Sequence, residues 1–194
     1  MDNRKYPTEL ANVKAIKAKL SKTDYALLEK EFTAAMEQNI FPFWYGTKWD
    51  FNGTTQMPNE GKIACGYFVT TTLSHAGVPL NRVKLAQAAS ETMIRELTEA
   101  KNIHHISNTS ISIFEDKMKK LGNGLYIIGL DNHTGFISIS ETGNYFIHSS
   151  GGFPFQVEKE KISKSKVLKK SNYKVVGKIS ADKSFLKKWI NHSF

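Results

Sequence analysis

The stretch from Tyr45 to Val69, YGTKWDFNGTTQMPNEGKIACGYFV, constrains this chain more than any other. It joins a turn-rich loop to a helical pattern, and the junction holds Cys65, the one cysteine of the protein. From Cys65 onward, Phe68, Val69, Thr72, Leu73 and Ala76 recur at the spacing of a single helical stripe. Gly77 suits the position just past the helix end, with Pro79 beyond it. A thiol in the first turn of a helix sits in the positive field of unsatisfied backbone N–H groups, which favours the nucleophilic thiolate. Free cysteine is also among the most buried residue types, so a small packed side chain on a core stripe is the competing reading. The aromatic run Phe41 to Tyr45 leads into the loop. Such a run is usually core, but beside a reactive loop it can wall a cleft, which makes Tyr45 a candidate substrate contact.

Around this stretch the pattern is helical first and stranded later. Residues 8 to 39 read as two helices, Thr8 to about Leu20 and, after a cap near Ser21 or Thr23, on to about Gln38. Leu27, Leu28, Phe32 and Met36 form the inward face of the second, and residues 1–40 are expected to brace the cysteine loop. Asn81 suits the N-cap of a helix from Arg82 to about Ala100, and a further helix spans about Ile111 to Leu121, ended by Gly122. Strands are expected at Leu125–Leu130, His133–Ser140, Tyr145–Ser149 and Tyr173–Ile179, the third after a turn at residues 141–143. An amphipathic helix with Phe185, Leu186, Trp189 and Ile190 ends the chain. Helices followed by a mainly antiparallel sheet make an α+β domain.

At 194 residues the chain suits one domain, 1–194, able to bury a sizeable core, and it is expected to be a monomer. An apolar fraction of 40 % with 12 Phe, 7 Tyr and 3 Trp argues against disorder. A lone cysteine excludes an intramolecular disulfide and a multi-cysteine zinc site. His104 and His105 are read as a solvent-facing loop pair with no second ligand cluster, so neither metal nor cofactor is expected. No apolar run approaches membrane-span length, and MDNRKYPTEL lacks the apolar core of a signal peptide. The protein is therefore extracytoplasmic if a leader has been removed, and otherwise cytoplasmic or exported by another route. Residues 157–194 hold eleven lysines against Glu158, Glu160 and Asp182, so nearly all of the net charge of +9 lies there. That basic part reads as a solvated face or as a docking site for an anionic polymer.

Nucleophilic chemistry needs a base beside the thiol and a group that orients the base. His75 lies ten residues along the same helix as Cys65, about 15 Å away by the helical rise. His192 lies in the C-terminal tail, and the histidine pair has no evident orienter. His133 opens a strand, a rigid place from which to reach a helix packed on a sheet, and is the expected general base and acid. The Cys65 N–H, at the helix start, is the expected oxyanion donor.

The string resembles the NlpC-type cell-wall peptidases, a papain-like cysteine peptidase family, over residues 44–155. Gly46, Thr47, Trp49, Phe51 and Gly53 fall on the family's Gly-Thr-Pro-Tyr-x-Phe/Tyr-Gly-Gly loop, and Cys65, Phe68 and Val69 fall on its Asp-Cys-Ser-Gly-Phe-Val helix. His133-Thr-Gly-Phe-Ile resembles the family's His-Val-Gly-Ile-Tyr strand, and Phe146-Ile-His148-Ser-Ser its Phe-Ile-His-Ala-Ser strand. The resemblance implies a papain-like fold and hydrolysis of an amide bond in peptidoglycan stem peptides by Cys65, His133 and His148. In it His148 accepts a hydrogen bond from His133 and fixes its tautomer, and Trp49 joins Tyr45 as a substrate contact. Ala64 and Gly66 flank the nucleophile where the family carries Asp and Ser, which in several members help recognise a free amine end. His133 and His148 are fifteen positions apart, a longer interval than the family's. A flat hairpin turning at Thr142-Gly143 would set residue 137 opposite His148, so twist or a bulge is needed to join the histidines, and Asn144 or Ser150 are alternative third members. A transglutaminase-like acyl transferase and a non-catalytic basic binding module on the same scaffold are the other functions this pattern permits.

Overall fold

Local sequence sets most of the helices in the computed structural model, which describes residues 5–192. Residues 1–4, part of the stretch read above for a leader, and residues 193–194 lie outside the described residues. Helix α1 (Tyr6–Ala18) has Pro7 in its first turn, where a missing N–H is harmless. Helix α2 (Tyr25–Ala34) is capped by Asp24, whose carboxylate accepts the Leu27 N–H, rather than by Ser21 or Thr23. It continues through a π-helical segment, Ala35–Ile40, into α3 (Phe41–Trp44), where Phe41 and Trp44 are fully buried. Two short parallel strands, β1 (Lys48–Trp49) and β2 (Lys62–Ile63), frame the cysteine loop. Helix α4 (Cys65–His75) follows, with Phe68, Val69, Thr72, Leu73 and Ala76 buried and Gly77 at φ +82° just past its end.

The long helix expected from Arg82 to Ala100 is two: α5 (Arg82–Ala86), capped by Asn81, and α6 (Ser90–Leu97). Helix α5 ends against α4, with the Ala86 carbonyl packed where Gly66 has no side chain. His104 and His105 belong to a strand, β3 (Ile103–His105), not to a loop, because pairing with Val176 and Val175 satisfies their backbone. Helix α7 (Ile111–Leu121) begins at a Ser110 cap. The remaining elements are β4 (Gly124–Leu130), β5 (Thr134–Ser140), β6 (Gly143–Ser149), β7 (Val157–Lys161), α8 (Lys166–Lys170), β8 (Lys174–Lys178) and α9 (Lys183–Asn191).

Strands β3-β8-β4-β5-β6-β7 form one antiparallel sheet in that order. The lysine-rich C-terminal part supplies β8, between β3 and β4, so it is woven into the sheet. One face carries Ile127, Phe136, Ile147 and Val175 against α2, α4 and α9. The other carries Tyr126, Ile128, Ile137 and Phe146 against α7, Ile162 and Leu168. Coverage on both faces explains why β4 reads as an unbroken apolar run. The architecture is mixed α+β, and among the described residues no helix is long and apolar enough to cross a membrane.

The β5–β6 hairpin turns at Glu141-Thr142, because Ser140 pairs with Gly143 and Phe136 with Ile147. Continued by one step, this register sets Gly135, not residue 137, across from His148. A Cβ on Gly135 would meet the His148 Cβ at 2.8 Å. His133 and His148 are thus diagonal neighbours on one face without a bulge, correcting the expected register.

Gly66 has an equally tight constraint, since a Cβ there would stand 2.2 Å from the Ala86 carbonyl oxygen. Gly66→Ala is expected to lower stability by about 1–3 kcal/mol, the usual cost of overpacking. Urea unfolding checks this, and an unchanged midpoint would show that α5 yields freely.

Candidate functional site

Three constraints meet at the start of β5. The β5–β6 ladder ends at Phe136 and Ile147, and the Thr134 N–H beyond it is directed at the Cys65 sulfur. The N–H groups of Cys65 and Gly66, in the first turn of α4, also point to that sulfur. Ala64 holds the N-cap position in an extended conformation without a side-chain cap, and its carbonyl accepts the Phe68 N–H. On the other side of Thr134, the two-residue turn Asp131-Asn132 is closed by the Leu130 N–H donating to the His133 carbonyl at 2.9 Å. The Asp131 carboxylate accepts from the Ser171 hydroxyl and the Asn172 N–H, both at 2.8 Å, which ties this turn to the segment before β8. Those hydrogen bonds, the Ser171 hydroxyl first, hold Asp131 below the usual carboxylate range.

His133 follows directly from that turn. Its Nε2 lies 2.8 Å from Nδ1 of His148, with the two rings nearly perpendicular. His148 is fully buried, stacked on Phe146 at 4.0 Å between centroids, on the sheet face away from α4. Its second nitrogen, Nε2, lies 3.2 Å from Oε1 of Glu160 and 3.6 Å from Oε1 of Glu158. Cys65, Gly66 and His133 line one cleft of about 560 Å³, together with Glu91, Thr134 and Tyr173. Among the described residues no hydrogen bond joins Cys65 to His133 directly, and Nδ1 of His133 has no partner.

The remaining expected site residues lie elsewhere. Trp49 packs on Phe155 and against Gly151, while Tyr45 packs against the core, and neither lines the cleft. Asn144 donates to Glu115 at the far end of the hairpin, and the Ser150 hydroxyl donates to the Gly152 carbonyl, so neither touches His133. His75 meets the Tyr6 hydroxyl at 2.8 Å, and His105 meets Glu91 at 3.2 Å. Glu158, Glu160, Asp131 and Thr134 were not singled out in the sequence. The signal for the two glutamates was the alternation of Val157-Glu-Lys-Glu-Lys161, which sends both to one side of a strand. Among the described residues, His148, Glu158 and Glu160 are also the group whose ligand atoms, within 4.8 Å of one another, could hold a metal ion. His148 spends its Nδ1 on His133, which suits a hydrogen-bonded chain.

Electrostatics sets the resting protonation. Burial pushes the Cys65 thiol up, despite the three backbone N–H groups that would favour the thiolate. The helix field expected to yield a thiolate is therefore outweighed by desolvation. Burial, and then the neighbouring His148, lower His133 to about 3. The pair rests as neutral thiol and neutral imidazole. No family model, curated protein or solved structure matches the chain.

Alkylation of Cys65 by iodoacetamide is accordingly expected to accelerate only above the ordinary cysteine pKa of about 8.5. A rate already at its plateau near neutral pH would mean a resting thiolate and overturn this account of the site.

Proposed function

We propose that the protein is a cysteine hydrolase of amide bonds on a papain-like scaffold, with Cys65 as nucleophile, His133 as base and His148 as orienter. The observation that carries this reading is the 2.8 Å contact between His133 and His148 beside a cleft that also holds the Cys65 thiol. His133 takes the thiol proton as the sulfur attacks the carbonyl carbon, and returns it to the leaving amine as the C–N bond breaks. Water, deprotonated by His133, then cleaves the thioester. Backbone N–H groups at the α4 start supply donors for the oxyanion. Hydrogen bonds at such sites tighten when substrate arrives, which is the step that brings thiol and imidazole together.

A second hollow of about 360 Å³, lined also by Val167, Lys170 and Ser171, shares Leu130, Asp131, Asn132 and His133 with the cleft. His133 lines both hollows, so a leaving group in either lies on its side of the site. Peptidoglycan stem peptide is the substrate we favour, on the strength of the motif resemblance. The absence of Asp and Ser beside Cys65 makes recognition of a free amine end independent of positions 64 and 66. A transglutaminase-like enzyme would differ by passing the acyl group to an amine in place of water. The raised thiol favours a second reading, a non-catalytic module in which Cys65 is only packed.

Purified peptidoglycan digested with wild type, Cys65→Ala and His133→Ala, with fragments identified by mass spectrometry, separates these readings. Both variants are expected to fold and to lose at least 10²-fold in rate, the least that general acid–base catalysis supplies. Wild-type turnover in Cys65→Ala would sink the cysteine mechanism, and no hydrolysis by wild type would leave the module. Because His133 must be neutral, the wild-type rate is expected to stay level through mildly acidic pH and to fall only as pH drops toward about 3.

The basic part supports an anionic partner. Lys164, Lys166, Lys169 and Lys170 are exposed, whereas Lys174 is buried and donates to the Ser171 carbonyl. Binding of the protein to an anionic cell-wall polymer is expected to weaken steeply with salt, as the Debye length falls from about 10 Å at 0.1 M to about 3 Å at 1 M. Charge reversal at those four lysines should weaken it further. Equal binding at low and high salt would leave them as a solvated face.

A further inference from the structure

The chain of contacts does not stop at His148. Strand β7 pairs with β6 so that Glu158 lies directly across from His148 and Glu160 across from Phe146, on which the His148 ring is stacked. Of the two carboxylates only Glu160 comes within hydrogen-bonding distance of Nε2, at 3.2 Å against 3.6 Å for Glu158. Glu160 is itself held: the Ser165 side chain, which also caps α8, hydrogen-bonds to it, and Lys169 lies near enough to act on its charge. Burial works against the charged carboxylate, but the hydrogen bonds from His148 and Ser165 prevail and keep Glu160 ionised.

An ionised carboxylate can only accept. We propose that Glu160 is a positioning residue that sets the tautomers of both imidazoles, a proposal that rests on the hydrolase reading for its catalytic consequence. Glu160 holds the His148 proton on Nε2. His148 Nδ1 is then a bare acceptor, so the proton of His133 must lie on Nε2 to fill the 2.8 Å contact. The Nδ1 of His133 is left with its lone pair, the state a base requires. Without Glu160, His148 can donate from Nδ1 instead. His133 would then accept at Nε2 and carry its proton on Nδ1, where it cannot take another while neutral. Two neutral rings in contact have these two arrangements of opposite polarity, and the carboxylate decides between them.

The test is nitrogen NMR of the full chain with ¹⁵N-labelled histidine at neutral pH, which reads each ring's tautomer whether or not the protein turns over. In wild type both His133 and His148 are expected to carry the proton on Nε2. Glu160→Ala should move both rings together toward Nδ1–H. Glu160→Gln, whose amide oxygen can still accept, should retain the wild-type pattern in larger part, and Glu158→Ala should leave it unchanged. Nδ1–H on His133 in wild type overturns the proposal even should a variant fail to fold, and so do unaltered tautomers in a folded Glu160→Ala. With peptidoglycan as substrate, Glu160→Ala is expected to lower kcat by roughly 10²–10⁴-fold with KM little changed. Wild-type tautomers as expected but no hydrolysis would remove the hydrolase reading and leave the relay standing. Hydrolysis with reversed tautomers would do the opposite.

Discussion

The β5–β6 register is the constraint on which the cleft depends. A two-residue turn at Glu141-Thr142 sets Phe136 against Ile147, and every later pair follows from it. Side chains alternate along a strand, so a slip of one residue would send His148 to the α4 face and part it from His133. Gly135 completes the arrangement, because any larger residue would fill the place of the His148 ring support. The apolar residues of both faces, Ile137 and Phe146 on one and Phe136 and Ile147 on the other, fix the register by their burial. Each contributes on the order of 1.5–3 kcal/mol by leaving water.

Helix α4 meets this sheet at the place where the ladder ends. Phe68 packs edge-on to Phe136 and close to Trp44, so the first turn of the helix is held at the Thr134 amide. The same burial that fixes the helix dries the site. Desolvation then dominates the protonation of both Cys65 and His133 and keeps them neutral. Position and electrostatics therefore have one source, and a site built this way must gain its reactivity from proton transfer during the reaction, not from a stored ion pair.

The lysine-rich C-terminal part shows how charge and fold are divided within one segment. Alternation along β7 places Glu158 and Glu160 beside His148, while Lys159 lies over the Tyr145 ring. Asp182 caps α9 and accepts from the Glu99 and Asn102 N–H groups, tying the last helix to the segment before β3. Only part of the basic character is therefore free to meet a partner.

By itself the sequence determined the helix after Cys65, the strands at 124–149 and 174–178 but not the one at 157–161, the α+β class and the set of histidines worth weighing. These rest on local periodicity and on caps and turns, which are written in neighbouring residues. The tertiary structure decided what depends on residues far apart in the chain. It broke the expected Arg82–Ala100 helix where Ala86 meets Gly66, and it moved the hairpin turn. It paired Nε2 of His133 with His148, set aside Asn144 and Ser150, and placed Glu160 behind His148. It also outweighed the helix field on Cys65 by desolvation, since a helix start can be seen in sequence but the depth of its burial cannot. Desolvation and cross-strand register are properties of the assembled sheet, and no single segment carries them.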